Sequence, residues 1–133
     1  MSEDIYQEFI LELYKNPVNF GKIENADLHE QSFNPLCGDK IEMFIKLDAG
    51  RKKIEDVKFI GNGCAISQAS ASLLTEELKG KTLEEVDKMG KEEIIKMIKI
   101  DLSKNPSRLK CAMLGLEVVK KAINTSVKEI QRI

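Results

Sequence analysis

At 133 residues and 15.0 kDa, with 42% hydrophobic and 32% charged residues, the chain is sized for one core burying about two thirds of its unfolded surface. No run of about 18 apolar residues offers a membrane span, and a net charge of −1 sets up no field to hold nucleic acid or anionic lipid. The acidic, polar start MSEDIYQEF lacks the basic region and apolar stretch of a secretory signal, so a cytoplasmic chain is expected.

From Ser2 to Tyr14 the apolar residues Ile5, Tyr6, Phe9, Ile10, Leu13 and Tyr14 recur at helical spacing, and Asn16-Pro17 stops the helix. Residues 17–34 read as a loop with a short strand near Leu28–Phe33. NPLCGD follows as a turn, with Pro35 and Gly38 bracketing Cys37. Lys40–Leu47 alternates, with Ile41, Met43, Ile45 and Leu47 on one face; Phe44 breaks the pattern. Residues 48–52 form a hairpin connection to a second strand, Ile54–Ile60, which predicts an antiparallel pair. After the glycine-rich break at 61–63, AISQASASLLTEELKG has helical periodicity and Gly80 suits its C-terminus. Thr82–Glu85 is a capping box opening a short helix. Another helix spans Lys91–Ile100. After the loop DLSKNPSR, a last long helix carries Leu109, Ala112, Met113, Leu116, Val119, Ile123, Val127 and Ile130 as its apolar stripe. The expected fold is α+β: an N-terminal helix, a small antiparallel sheet, then helices. With no repeat, low-complexity tract or linker, residues 1–133 are expected to form a single domain.

The chemistry is concentrated in three cysteines. No CxxC pair exists, so any shared site has to be assembled by the fold; a reducing cytosol disfavours disulfides. Cys64 immediately precedes a helix and Cys111 lies near the start of another, beside Arg108 and Lys110, both settings that favour a thiolate. The glycines at 61 and 63 leave the backbone room to approach a bound group or to adopt φ > 0. The alternative is three small buried hydrophobes. Asp39, two residues after Cys37, is either a turn residue bonded to nearby backbone or a fourth ligand. Three sulfurs and an oxygen would satisfy tetrahedral zinc, and would leave an iron-sulfur cluster with one weak, hard corner. His29 reads as a solvated side chain in a polar loop. Ser67, Ser70 and Ser72 have no His or Asp partner in a nucleophile pattern and read as small residues that let a helix pack closely.

LYKNPVNFG at 13–21, NPLCGD at 34–39, GNGCAISQASAS at 61–72, KGKTLEEV at 79–86 and LKCAMLGLEVVKKAI at 109–123, in this order, resemble the IscU/SufU (NifU N-terminal-like) family of iron-sulfur cluster assembly scaffolds over nearly the whole chain. The resemblance implies a three-stranded sheet with a helical layer and a site at one exposed end. It places Cys37, Cys64 and Cys111 on the family's ligand cysteines and Asp39 on its site aspartate. It also implies a function: sulfur received as persulfide from a pyridoxal-phosphate cysteine desulfurase, iron added, and a transient 2Fe-2S cluster handed to acceptor or carrier proteins. The chain is then a scaffold rather than an enzyme, with no nucleic-acid or membrane partner. By the family pattern the N-terminal helix contributes to desulfurase docking, so its exposed apolar residues read as interface.

Four departures bear on the reading. Lys110 stands where IscU proteins carry His before the third cysteine, as in SufU-type proteins. The stretch from Cys64 to Cys111 has no room for the usual SufU insertion. NPSRLK replaces the proline-valine-lysine segment that engages a dedicated chaperone, and Leu13 stands where relatives usually show His. The resemblance leaves two occupants open: a 2Fe-2S cluster on a scaffold, or Zn²⁺ in a SufU-type sulfurtransferase. A structural zinc module is a third, blander reading. It also leaves two candidate persulfide acceptors, Cys111 by likeness to IscU and Cys37 by likeness to SufU.

Overall fold

The computed structural model describes residues 2–35, 38–98 and 105–131, with side chains described for 8–35, 38–98 and 105–125. Its elements run α1 (Ser2–Lys15), β1 (Leu28–Asn34), β2 (Asp39–Leu47), β3 (Ile54–Asn62), α2 (Ala65–Leu78), α3 (Leu83–Asp87), α4 (Lys91–Ile98) and α5 (Pro106–Gln131). The strands form one antiparallel sheet in the order β1-β2-β3, as the α+β reading expected.

The alternation in β2 decides which face is covered. Ile41, Met43 and Ile45 are fully buried beneath the helices, joined from β3 by Val57 and Phe59. Burial of such side chains contributes about 1.5–3 kcal/mol each. α5 lies over β1 and β2, α2 over β3, and the two helices pack on each other; α1 rests on α2. Phe44, the exception in the pattern, is buried on the opposite face because the His29 ring stacks on it at 4.5 Å. His29 sits on the short strand expected near Leu28–Phe33, paired with Glu42, and its side chain remains 51% exposed, in keeping with the solvated reading.

Other boundaries move for local reasons. Asp39 is the first residue of β2, opposite Asn34, not part of the turn. The turn ends one residue earlier, where Gly38 (φ 75°) donates its N–H to Asn34 O at 2.8 Å. α5 starts at Pro106, inside the segment read as a loop. Pro suits the first helical position, and Asn105 Oδ1 accepts the Arg108 N–H at 3.3 Å. The capping box is present: Thr82 Oγ1 accepts from Glu85 N–H at 3.1 Å. The predicted helix residues 99–100 and the loop residues 101–104 lie outside the described residues, as do the side chains of Ile5, Tyr6, Val127 and Ile130. Of the α1 stripe, Ile10 is buried and Leu13 packs partly on the core, whereas Phe9 and Tyr14 are exposed, as is Leu11 beside them. Among the described residues, no helix is long and apolar enough to cross a membrane.

Candidate metal centre

Three elements deliver three donors to one end of the sheet. Asp39 opens β2, Cys64 caps α2, and Cys111 sits in the second turn of α5. One ligand atom from each lies within 4.8 Å of the others. Around a tetrahedral zinc, with Zn–S about 2.3 Å and Zn–O about 2.0 Å, ligand atoms stand about 3.3–3.8 Å apart, so closing on an ion takes a shift of at most about 1 Å. Two thiols and a carboxylate suit zinc or iron and leave a tetrahedron one ligand short. Cys37 lies outside the described residues, one position before Gly38 in the β1–β2 connection. His29 is at the far end of β1, ~17 Å along the strand from Asn34 at the site end.

Asp39 is 1% exposed. Its Oδ1 accepts the Cys64 backbone N–H at 2.8 Å, and its Oδ2 lies 3.4 Å from Cys64 Sγ. Gly63 makes this approach possible: at φ 146° it carries no side chain, and a Cβ there would meet Asp39 Oδ1 at 2.1 Å. The glycines at 61 and 63 make room for the chain's own Gln68 and Asp39, and Gly63 takes the positive φ that was one of the two expectations for them.

Cys64 is exposed, and its sulfur is the N-cap of α2, accepting the Ser67 N–H at 3.4 Å. The unsatisfied amides of that helix terminus favour negative charge on the sulfur. Cys111 is 8% exposed. Its depth is set where α5 meets α2: Ser70 Oγ donates to Ala112 O at 2.7 Å, and a Cβ on Gly115 would come 3.2 Å from Met43 Cε. The serines read as packing residues are buried and also bonded: Ser67 Oγ donates to Cys64 O, and Ser72 Oγ accepts the Val18 N–H. These positioning roles of Ser67, Ser70, Gly63 and Gly115 escaped the sequence reading. Its one signal for Gly115 was a glycine inside a long helix. Beside the donors, a cavity of about 350 Å³ is lined by Asn34, Cys64, Ile66, Arg108, Lys110 and Cys111. Its mouth is therefore cationic.

The chain that builds this cysteine-capped helix and strand-leading aspartate matches the family model of the NifU-like N terminal domain over residues 5–131. The chain belongs to that family. The zinc-dependent sulfurtransferase SufU of Bacillus subtilis is 35% identical over 91% of this chain and 90% of its own. The iron-sulfur cluster assembly scaffold protein IscU of Thermotoga maritima is 36% identical over 90% and 92%. Among solved structures, the putative iron-sulfur cluster assembly scaffold protein for the SUF system from Fervidobacterium islandicum superposes with a TM-score of 0.76 at 34% identity, covering 92% of this NifU-like chain and 99% of its own. The relatives thus carry both scaffold and sulfurtransferase names.

Proposed function

We propose that this NifU-like chain is an iron-sulfur cluster assembly scaffold, one domain over residues 1–133, and that Cys37, Asp39, Cys64 and Cys111 hold a transient 2Fe-2S cluster. The observation that carries the reading is the buried Asp39 carboxylate within 4.8 Å of the thiols of Cys64 and Cys111, beside a cationic mouth. A hard oxygen donor holds a cluster less firmly than a fourth thiolate, as cargo requires, and Arg108, Lys110 and the α2 terminus offset the negative charge of the thiolate-bound cluster.

Sulfur arrives as the persulfide of a pyridoxal-phosphate cysteine desulfurase. A thiolate of this chain, Cys111 or Cys37, attacks the outer sulfur; a new S–S bond forms and the donor cysteine leaves as thiolate. Reduction of each transferred sulfur to sulfide takes two electrons from an external thiol or iron-sulfur reductant, and iron joins before transfer to an acceptor protein. The chain has no turnover of its own on this reading. Mass spectrometry of persulfides on single Cys→Ser variants identifies the first acceptor.

Anaerobic incubation with iron, cysteine, a reducing thiol and the desulfurase should give a brown protein with sulfur-to-iron charge-transfer absorption. Asp39→Ala should lengthen the cluster's lifetime. A protein that stays colourless overturns the proposal. The second reading, a zinc-dependent sulfurtransferase, rests on Lys110 in the SufU-type position and on a donor set that equally suits zinc. It predicts that the zinc-loaded chain stimulates desulfurase turnover while no cluster forms.

A further inference from the structure

The two edges of the sheet are treated differently. On β1, Gln31 O accepts Lys121 Nζ at 3.2 Å and the Gln31 N–H reaches Glu30 Oε1 at 3.3 Å. Charged side chains thus blunt that edge against pairing. On β3, the Phe59 N–H donates to Asn19 O at 3.0 Å and Phe59 O accepts the Gly21 N–H at 2.8 Å. Strand alternation points the N–H and C=O of Gly61, two residues on, to the same edge. There the covering segment has already turned away, and among the described residues these two groups have no hydrogen-bond partner.

That stretch opens on a cleft of about 480 Å³ walled by Tyr14, Pro17 and Phe20, with Lys15 as its charged side chain. Tyr14 and Phe20 are 47% and 51% exposed. Gln68 also lines the cleft. It is 6% exposed, and its Nε2 is buried with no hydrogen-bond partner among the described residues. An amide donor in that state costs about 1–3 kcal/mol, which an acceptor would recover once the side chain turns towards the cleft. The Gln68 amide also fills the place of a Gly61 Cβ, about which its two polar atoms lie 2.9 and 3.0 Å. The edge is therefore a strip of bare backbone.

We infer that this cleft receives an extended peptide segment of a partner protein, which adds to β3 at Gly61. The added strand bonds the Gly61 N–H and C=O, brings a carbonyl to the Gln68 amide, seats an apolar side chain between Tyr14 and Phe20, and sets an acidic residue against Lys15. Alternation of side chains along the strand separates the apolar from the acidic position. The site lies across the Gly63 backbone from Asp39 and holds for either metal occupant, so it does not depend on the proposed function.

The test is selection of displayed random 12-residue peptides on the full-length chain, followed by titration of the best synthetic peptide. Expected are amide shifts at residues 61–63, slowed hydrogen exchange at the Gly61 N–H, and affinity at least tenfold weaker for Lys15→Glu, regained when the peptide's acidic residue becomes Lys. Lys15 is exposed, so that variant leaves folding intact. Gln68→Leu should weaken the same peptide, and Cys64→Ser should leave its binding unchanged. The inference is overturned if no peptide is selected, if the shifts fall elsewhere, or if Gly61 exchange is unaffected.

Discussion

A methyl group at residue 63 would sit 2.1 Å from Asp39 Oδ1 and 2.9 Å from Asp39 Cα, at a backbone φ of 146° that side chains rarely adopt. Neither atom can yield without breaking the Cys64 N–H bond to Asp39. Gly63→Ala should therefore cost about 1–3 kcal/mol and weaken metal binding, measured by urea unfolding and competitive zinc titration; an unchanged midpoint would refute the contact. Asp27 holds a different joint. Its Oδ2 accepts the Leu47 N–H at 2.7 Å at the β2 bulge, and Arg51 Nη1 lies 3.2 Å from Oδ1. The Leu47 bond, with Lys46 and Arg51 nearby, lowers its pKa from 3.8. A carboxyl depressed in the folded state stabilises fully above its unfolded pKa and loses that contribution as pH falls through the folded value. The stability gap between wild type and Asp27→Asn should thus be constant near neutrality and shrink as pH drops below about 3.8, followed by denaturation at several pH values.

At the scale of elements, the site depends on how α5 is held against α2. The Ser70 hydroxyl, 1% exposed, bonds Ala112 O one residue past Cys111, and Gly115, one turn further on, leaves room for Met43 of β2. Ser70→Ala should lower stability by about 1 kcal/mol and loosen metal affinity, because Cys111 is carried by that turn. Calorimetry and zinc titration together check both effects, and a change in stability alone would make the bond structural only. α1 behaves differently: it buries Ile10 and leaves Phe9, Leu11 and Tyr14 in solvent, so its periodicity marked a helix without marking which side was covered.

For the whole molecule, an ion held as proposed between β2, the α2 cap and α5 would bind the folded chain far better than the unfolded one. Zinc at a hundredfold excess over Kd should add about 2.7 kcal/mol and raise Tm by roughly 10 °C. Cys64→Ser should lose most of that rise in a thermal scan; a full rise in that variant would place the zinc elsewhere. Much of this architecture was legible in the chain. The alternation at Ile41, Met43 and Ile45, the Thr82–Glu85 box and the family motifs around the cysteines are short-range signals, readable because a few neighbouring residues carry them. The start of α5 at Pro106 was a local signal too, a proline at the first helical position capped by Asn105, overlooked beside the loop-like residues around it; the cover of His29 over Phe44 and the occupants of the space at Gly61 and Gly63 were not legible, since each depends on residues distant in sequence. The sequence by itself determined the elements, the donor types and the family. Only the tertiary structure decided that Asp39, Cys64 and Cys111 meet, because a shared site on three elements exists only when the packing of α2, α5 and the sheet brings their ends together.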